Sequence, residues 1–256
     1  IKLFKPAQQM KLLKSFLIFF HISLSFSSII LPEKLIIGYG SWGECDNKII
    51  QAVEDGVNII IWFAINLLTN ITTNKPLITG GPNRECVINI KNILKQRNLT
   101  TIHLISIGGW DAPHPDTTNT PEVVYQNWVE WNNGLYDGFD WDIEGNDDLT
   151  SPYNTFTQEC LDLMGKMSQY GKKDGYIVSM APAESYLDVT TSEFDYSLTH
   201  NYPEWETLQP NFFYHGRNVY SYLLLNYGQT IINSDIITTT TNNHNTNNNN
   251  KNTYSV

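Results

Sequence analysis

Five residues in the middle of the chain, Asp140-Trp141-Asp142-Ile143-Glu144, alternate acidic with large apolar side chains without a break. In an extended strand successive side chains point to opposite faces, so Asp140, Asp142 and Glu144 share one face. Phe139, Trp141 and Ile143 line the other. Neighbours on one face lie about 6.6 Å apart along the strand, close enough for carboxyl groups to share a proton. Three acids on a partly buried face cannot all ionise cheaply, so at least one pKa must rise. A carboxyl group held protonated near neutral pH is what protonation of a glycosidic oxygen requires. The plain alternative is an antiparallel edge strand with its acids in water, and the rest of the sequence argues against that.

Around this segment, β-branched runs alternate with helix-like stretches, the signature of parallel strands joined by crossover helices. Strands are predicted over 34–40, 57–64, 101–107, 138–144 and 176–181, with a weak sixth over 230–237. Helices are predicted over 46–55, 83–97, 121–132, 153–170 and 217–227. Thr120 is placed as a cap with Pro121 in the first turn behind it, and Gly171 as a helix stop. Five such strands suit either more than half of an eight-fold α/β barrel or most of a doubly wound sheet. No glycine-rich phosphate loop follows the first strand, which weighs against the nucleotide-binding sheet. In a barrel, acids at the C-terminal end of a strand open onto the active-site face.

The ends of the chain read differently from its middle. Ile1 precedes Met10, a better biological start, after which come Lys11, Lys14, the apolar run 16–26 and the small residues Ser27 and Ser28. Basic, apolar, then small is the layout of a secretory signal peptide, and the run is too short for a comfortable membrane span. Residues 1–30 are therefore expected to be leader and signal peptide, and the protein to be secreted, with an endolysosomal destination as the variant. From Thr238 the chain is threonine and then mostly asparagine, so 238–256 is expected to be a disordered polar tail and 31–237 the folded domain.

In an exported chain, Cys45, Cys86 and Cys160 permit one disulfide whose partners the sequence does not choose. Asn70-Ile71-Thr72 and Asn98-Leu99-Thr100 are glycosylation sequons of the kind exported proteins carry. A formal charge of −10 argues against nucleic acid or an anionic membrane as partner. No metal-ligand cluster stands out, so no metal and no cofactor are expected, and the mature protein is expected to act as a monomer off the membrane.

Asp137-Gly138-Phe139-Asp140-Trp141-Asp142-Ile143-Glu144 resembles the Asp-x-x-Asp-x-Asp-x-Glu signature of family-18 glycoside hydrolases, the chitinases and their relatives. Ser106-Ile107-Gly108-Gly109-Trp110, ending the third predicted strand, is similar to that family's Ser-x-Gly-Gly motif. Gly38-Tyr39-Gly40 and Ser179-Met180-Ala181-Pro182 fit the same likeness, which covers roughly residues 34–228.

The resemblance implies an α/β fold, a (β/α)8 TIM barrel, here incomplete at five to six βα units. It implies an enzyme cutting polymers or oligosaccharides of β-1,4-linked N-acetylglucosamine. Glu144 would be the acid, Asp142 the residue that orients the substrate's N-acetyl group, and Asp140 its support through a shared proton. Gly108 and Gly109 would keep the sugar-binding floor clear. Tyr39 and Trp110 would contact sugar rings, and Met180 would sit at the floor. Trp62 and Phe63 fit core packing at least as well, and Trp141 should face the helices. The family's strand-six tyrosine and strand-eight tryptophan have no counterpart here, so a truncated barrel, impaired by the loss, is expected. An endo-β-N-acetylglucosaminidase, a non-catalytic carbohydrate-binding relative and a degraded gene product are the other readings. Retention of Glu144 favours the enzyme.

Overall fold

The structure, a computed structural model, describes residues 29–41, 45–144, 151, 153, 156–181, 199–200, 214–215 and 219–231. Residues 1–28 of the expected leader, Pro182, positions 232–237 and the tail 238–256 lie outside them. In chain order the elements are β1 (Ile37–Tyr39), α1 (Lys48–Glu54), β2 (Ile59–Thr69), β3 (Pro76–Gly80), α2 (Arg84–Gln96), β4 (Ile102–Gly109) and α3 (Pro121–Asn132). There follow β5 (Gly138–Ile143), α4 (Gln158–Lys173), β6 (Ile177–Met180), β7 (Thr199–His200), β8 (Tyr214–His215) and α5 (Val219–Ile231). Strands β1, β2, β4, β5 and β6 lie side by side, all parallel, and β3 folds back antiparallel on the second half of β2. The short pair β7 and β8 forms a separate antiparallel ribbon.

Strand register carries the two faces across the sheet. Tyr39 pairs with Ile61, Ile61 with Leu104, Leu104 with Gly138, Ser106 with Asp140 and Asp140 with Ser179. These residues form one continuous face. The sheet is curled about it, because β1 and β5 are separated by β2 and β4, about 14 Å in a flat sheet at the usual strand spacing. Yet the Tyr39 hydroxyl donates to Asp140 Oδ2 at 3.1 Å. The concave side of an incomplete α/β barrel accounts for both facts.

The convex side carries the helices and the main core. Ile60, Trp62, Ile105, Ile107, Phe139, Trp141 and Ile143 pack there with Val87, Ile90 and Leu94 of α2, Trp128 of α3 and Met164 and Met167 of α4. Trp128 is fully buried, with Phe139 and Tyr176 each edge-on to it at 5.0 Å. Each such ring contributes roughly 2–3 kcal/mol by leaving water. Trp141 faces the helices as expected, its indole N–H donating to Ser168 Oγ at 2.9 Å. Helix α5 docks on α4 where Gly165 leaves room: a Cβ there would lie 2.3 Å from the Tyr227 ring. The hydroxyls of Tyr222 and Tyr227 both donate to Asp162 of α4.

A second, smaller cluster fills the concave side near the N-terminal ends of the strands. Ile59, Ile61, Ile102, Leu104 and Ile177 are covered there by Ile29, Leu31 and Leu35 from the segment before β1. The disulfide left open by the sequence joins Cys45 to Cys86, tying the chain ahead of α1 to the first turn of α2, and Cys160 is a buried free thiol. Closing a loop of this length stabilises the fold by about 3–4 kcal/mol.

Several predicted elements are corrected. Strand two runs on through Thr69 and turns back as β3, a hairpin the sequence did not show. Helix α4 starts at Gln158, capped by the Thr157 side chain, and runs past Gly171 to Lys173. Gly171 is therefore not a stop; its missing side chain lets α4 approach the Phe139 ring, 3.0 Å from an added Cβ. Residues 230–231, expected in a sixth strand, form the last turn of α5.

Candidate active site

The mouth of the curled sheet lies at the C-terminal ends of β4, β5 and β6. Asp140 is 1% exposed and Asp142 8%, while Glu144, one residue beyond β5, is half-buried. A parallel strand covered by helices on one side and curled inward on the other turns the alternating acids into the concavity, where all three meet. Asp140 is boxed in: Ser179 Oγ donates to its Oδ1 at 2.5 Å and Tyr39 to its Oδ2. Burial nonetheless lifts its pKa to about 6, with those two hydrogen bonds pulling the other way.

Asp142 and Glu144 are hydrogen-bonded to each other. Burial pushes Asp142 well above the carboxylate range, and the charges of Glu144 and Asp140 push further in the same direction. Burial also raises Glu144, while its bond with Asp142 opposes the rise. Two adjoining carboxyl groups with raised pKa values hold one proton between them near neutral pH. In the resting arrangement their hydrogen bond favours the proton on Asp142. A proton kept in this pair is available to a basic oxygen entering the concavity, and the remaining carboxylate can stabilise developing positive charge.

The structure brings Asp140, Asp142, Glu144, Tyr39 and the glycines together. Tyr39 reaches the cluster through its hydroxyl, and its ring meets Phe63 edge-on at 6.5 Å. Gly108, at φ +102°, packs against β5: a Cβ there would lie 2.5 Å from the Asp142 carbonyl oxygen. It keeps the two strands in register beneath the acids, which is a different reason from clearing a sugar floor. Gly109 also has positive φ, +116°. Trp110 is half-buried and packs against the convex core.

Met180 is a correction. It pairs with Trp141 and packs with the convex core, so strand alternation places it away from the acids and puts Ser179 among them. Once the register pairs Asp140 with Ser179, period-two alternation sets Ser179 on the acid face and Met180 on the other. His114 was missed altogether. It lies in the loop after β4, with Nε2 3.0 Å from the Glu144 carbonyl oxygen, and no periodicity marks it. Among the described residues no group of three or more His, Cys, Asp or Glu is arranged to hold a metal ion, and no helix is long and apolar enough to cross a membrane.

No family model and no curated protein matches this sequence. Solved structures match parts of the chain, each of those below at a TM-score under 0.5. One is a GH18 chitinase, ChiB, from Flavobacterium johnsoniae, at 13% identity and TM-score 0.38 over 56% of this chain and 44% of that one. Another is the Group IV chitinase of Ostrinia furnacalis in complex with allosamidin, at 15% identity and TM-score 0.38 over 75% and 62%. A third is EndoBT-3987 of Bacteroides thetaiotamicron with Man5GlcNAc product, at 17% identity and TM-score 0.35 over 58% and 38%. The chain thus spans less than two thirds of the length of each. The acid cluster, drawn from this chain's own geometry, carries the functional argument.

Proposed function

We propose that the chain is a glycoside hydrolase that cleaves β-1,4-linked N-acetylglucosamine polymers or oligosaccharides with retention of anomeric configuration. The observation that carries this reading is the hydrogen-bonded Asp142–Glu144 pair, both pKa values raised, at the C-terminal end of β5 with Asp140 buried behind it. In the proposed reaction the pair's proton passes along the hydrogen bond from Asp142 to Glu144, which gives it to the glycosidic oxygen and leaves Asp142 ionised. The substrate's own N-acetyl oxygen attacks the anomeric carbon as the C–O bond breaks, as in substrate-assisted glycosidases. Asp142 orients the acetamido group and offsets the positive charge that forms on it. Glu144, now ionised, takes a proton from the water that opens the intermediate. Asp140, held by Ser179 and Tyr39, acts on Asp142 through its charge.

The Cys45–Cys86 disulfide supports an exported protein, because such bonds persist in oxidising compartments. The deciding experiment is hydrolysis of a fluorogenic chitobiose or chitotriose by the purified chain, with Glu144→Gln alongside. Turnover abolished in the variant, with oligosaccharide binding kept, supports the acid assignment. Equal turnover by the variant removes it. Binding without turnover in either protein turns the reading toward a carbohydrate-binding protein.

A further inference from the structure

Glu144 stands one residue beyond the last sheet pairing of its strand, Gly109 with Ile143. The ladder that fixes Asp140 and Asp142 therefore ends before the residue whose carboxyl has to be placed most accurately. His114 fills that gap. A carbonyl oxygen only accepts, so the 3.0 Å contact with Glu144 O is a hydrogen bond in the tautomer that carries its proton on Nε2. The ring packs on Phe156 at 4.7 Å between centroids and on Tyr153 at 5.5 Å, and Phe156 belongs to the convex core. The imidazole thus joins the end of β5 to the chain leading into α4.

The loop that carries His114 is itself pinned on both sides. Ala112 N donates to Gly109 O at 3.0 Å and Asp116 N to Leu67 O at 2.9 Å. Thr69 Oγ1 donates to Asp116 Oδ1 at 2.9 Å, and Asn119 donates to Thr69. The β2–β3 hairpin therefore braces the loop that holds the histidine. Burial also drops the His114 pKa to about 4, against the pull of backbone hydrogen bonds with Glu144 and Tyr153, so the ring is neutral near pH 7.

We propose that His114 is a positioning residue for the acid: its Nε2–H replaces the missing ladder bond and fixes the Glu144 main chain so that the carboxyl stays paired with Asp142. This rests on the hydrolase reading for its catalytic consequence, but not for its structural one. A misplacement of about 1 Å in a catalytic group lowers rate by about 10²-fold.

The test is a pair of substitutions whose ranking separates hydrogen bonding from packing. His114→Phe keeps a ring against Phe156 and removes the donor; His114→Gln removes the ring and can keep a donor near the Nε2 position. Each full-length variant is assayed on the chitobiose substrate. Independently of turnover, the Glu144 carboxyl is titrated by 13C NMR, its signal assigned with Glu144→Gln. His114→Phe should lower kcat by about 10–100-fold with KM within about twofold, and its Glu144 should titrate away from the wild-type value, because burial and the bond with Asp142 together set that value. His114→Gln should recover most of both.

Equal or better performance by His114→Phe, with Glu144 titrating as in the wild type, overturns the proposal. If the wild type shows no hydrolysis, the functional reading fails while the titration still decides the role of His114. If His114→Phe does not fold, His114→Gln carries the test, and a Glu144 titration shifted from wild type in that variant overturns the proposal.

Discussion

At the N-terminal end of β4, His103 is closed in on every side. Trp62 Nε1 donates to its Nδ1 at 3.1 Å, its Nε2 meets Thr101 Oγ1 at 2.8 Å, and its main-chain N–H donates to Asp137 at 2.8 Å. Burial, helped by the charge of Lys91, lowers its pKa to about 3, so it stays neutral. At the C-terminal end of the same strand the side chains and backbone are arranged otherwise. Ser106 Oγ is buried with no hydrogen-bond partner among the described residues, two glycines hold positive φ, and three acids with raised pKa values face them from β5. One end of the strand satisfies its polar atoms and stabilises the fold. The other holds groups out of their preferred ionisation states, which is tolerable where reactivity is needed.

The largest expected effect comes from breaking the backbone of the reactive end. Gly108→Ala adds a Cβ 2.5 Å from the Asp142 carbonyl oxygen at a φ that L residues rarely adopt. A loss of about 3 kcal/mol or more is expected in urea unfolding, with loss of hydrolysis. A loss under about 1 kcal/mol would show that β4 and β5 can separate here, and that the glycine is not needed to seat the acids.

Opposite pH slopes sharpen the comparison. Asp140, raised from 3.8 to about 6, contributes stability that is present at low pH and lost as pH rises through about 6. Asp140→Asn should therefore gain on the wild type between pH 4 and 7, on the order of 2 kcal/mol. His103, lowered from 6.5 to about 3, contributes stability that is present above about pH 6.5 and lost as pH falls toward 3. His103→Leu, which leaves the Trp62 N–H without an acceptor, should cost about 1–2 kcal/mol at pH 7. That deficit should shrink on acidification, with kcat unchanged. Parallel slopes for the two variants in urea unfolding at stepped pH would remove the distinction between the ends.

How much of this was legible depended on whether a local rule acted alone. Helix α3 begins and ends as read, because the Thr120 cap and Pro121 act within one turn and the following periodicity is clear. The acids of β5 lie where alternation put them. The β2–β3 hairpin was not visible because its return strand opens on Pro76 after a polar turn, and proline there reads as a break. Met180 was placed by family likeness, and only the register of β6 on β5 shows that Ser179, not Met180, lies beside Asp140. His114 was beyond reach for another reason: its partners are 30 to 42 residues away, and only the folded loop brings it to Glu144.

The smallest effect tests the join between the two halves of the curl. Tyr39 reaches across the concavity from β1 to Asp140, and it is half-exposed, so its removal leaves a solvated edge rather than a cavity. Tyr39→Phe should cost about 1 kcal/mol or less in unfolding. Its clearer signature is electrostatic. The hydroxyl lowers the Asp140 pKa by hydrogen bonding to the ionised form, so without it that pKa should rise above about 6. A more protonated Asp140 repels the charged form of Asp142 less, so the Asp142–Glu144 pair should release its proton at lower pH. The basic limb of any pH–rate profile should then move to lower pH, with KM little changed. A pH profile that does not move would mean that Ser179 alone sets Asp140, and that β1 closes the curl without taking part in the chemistry.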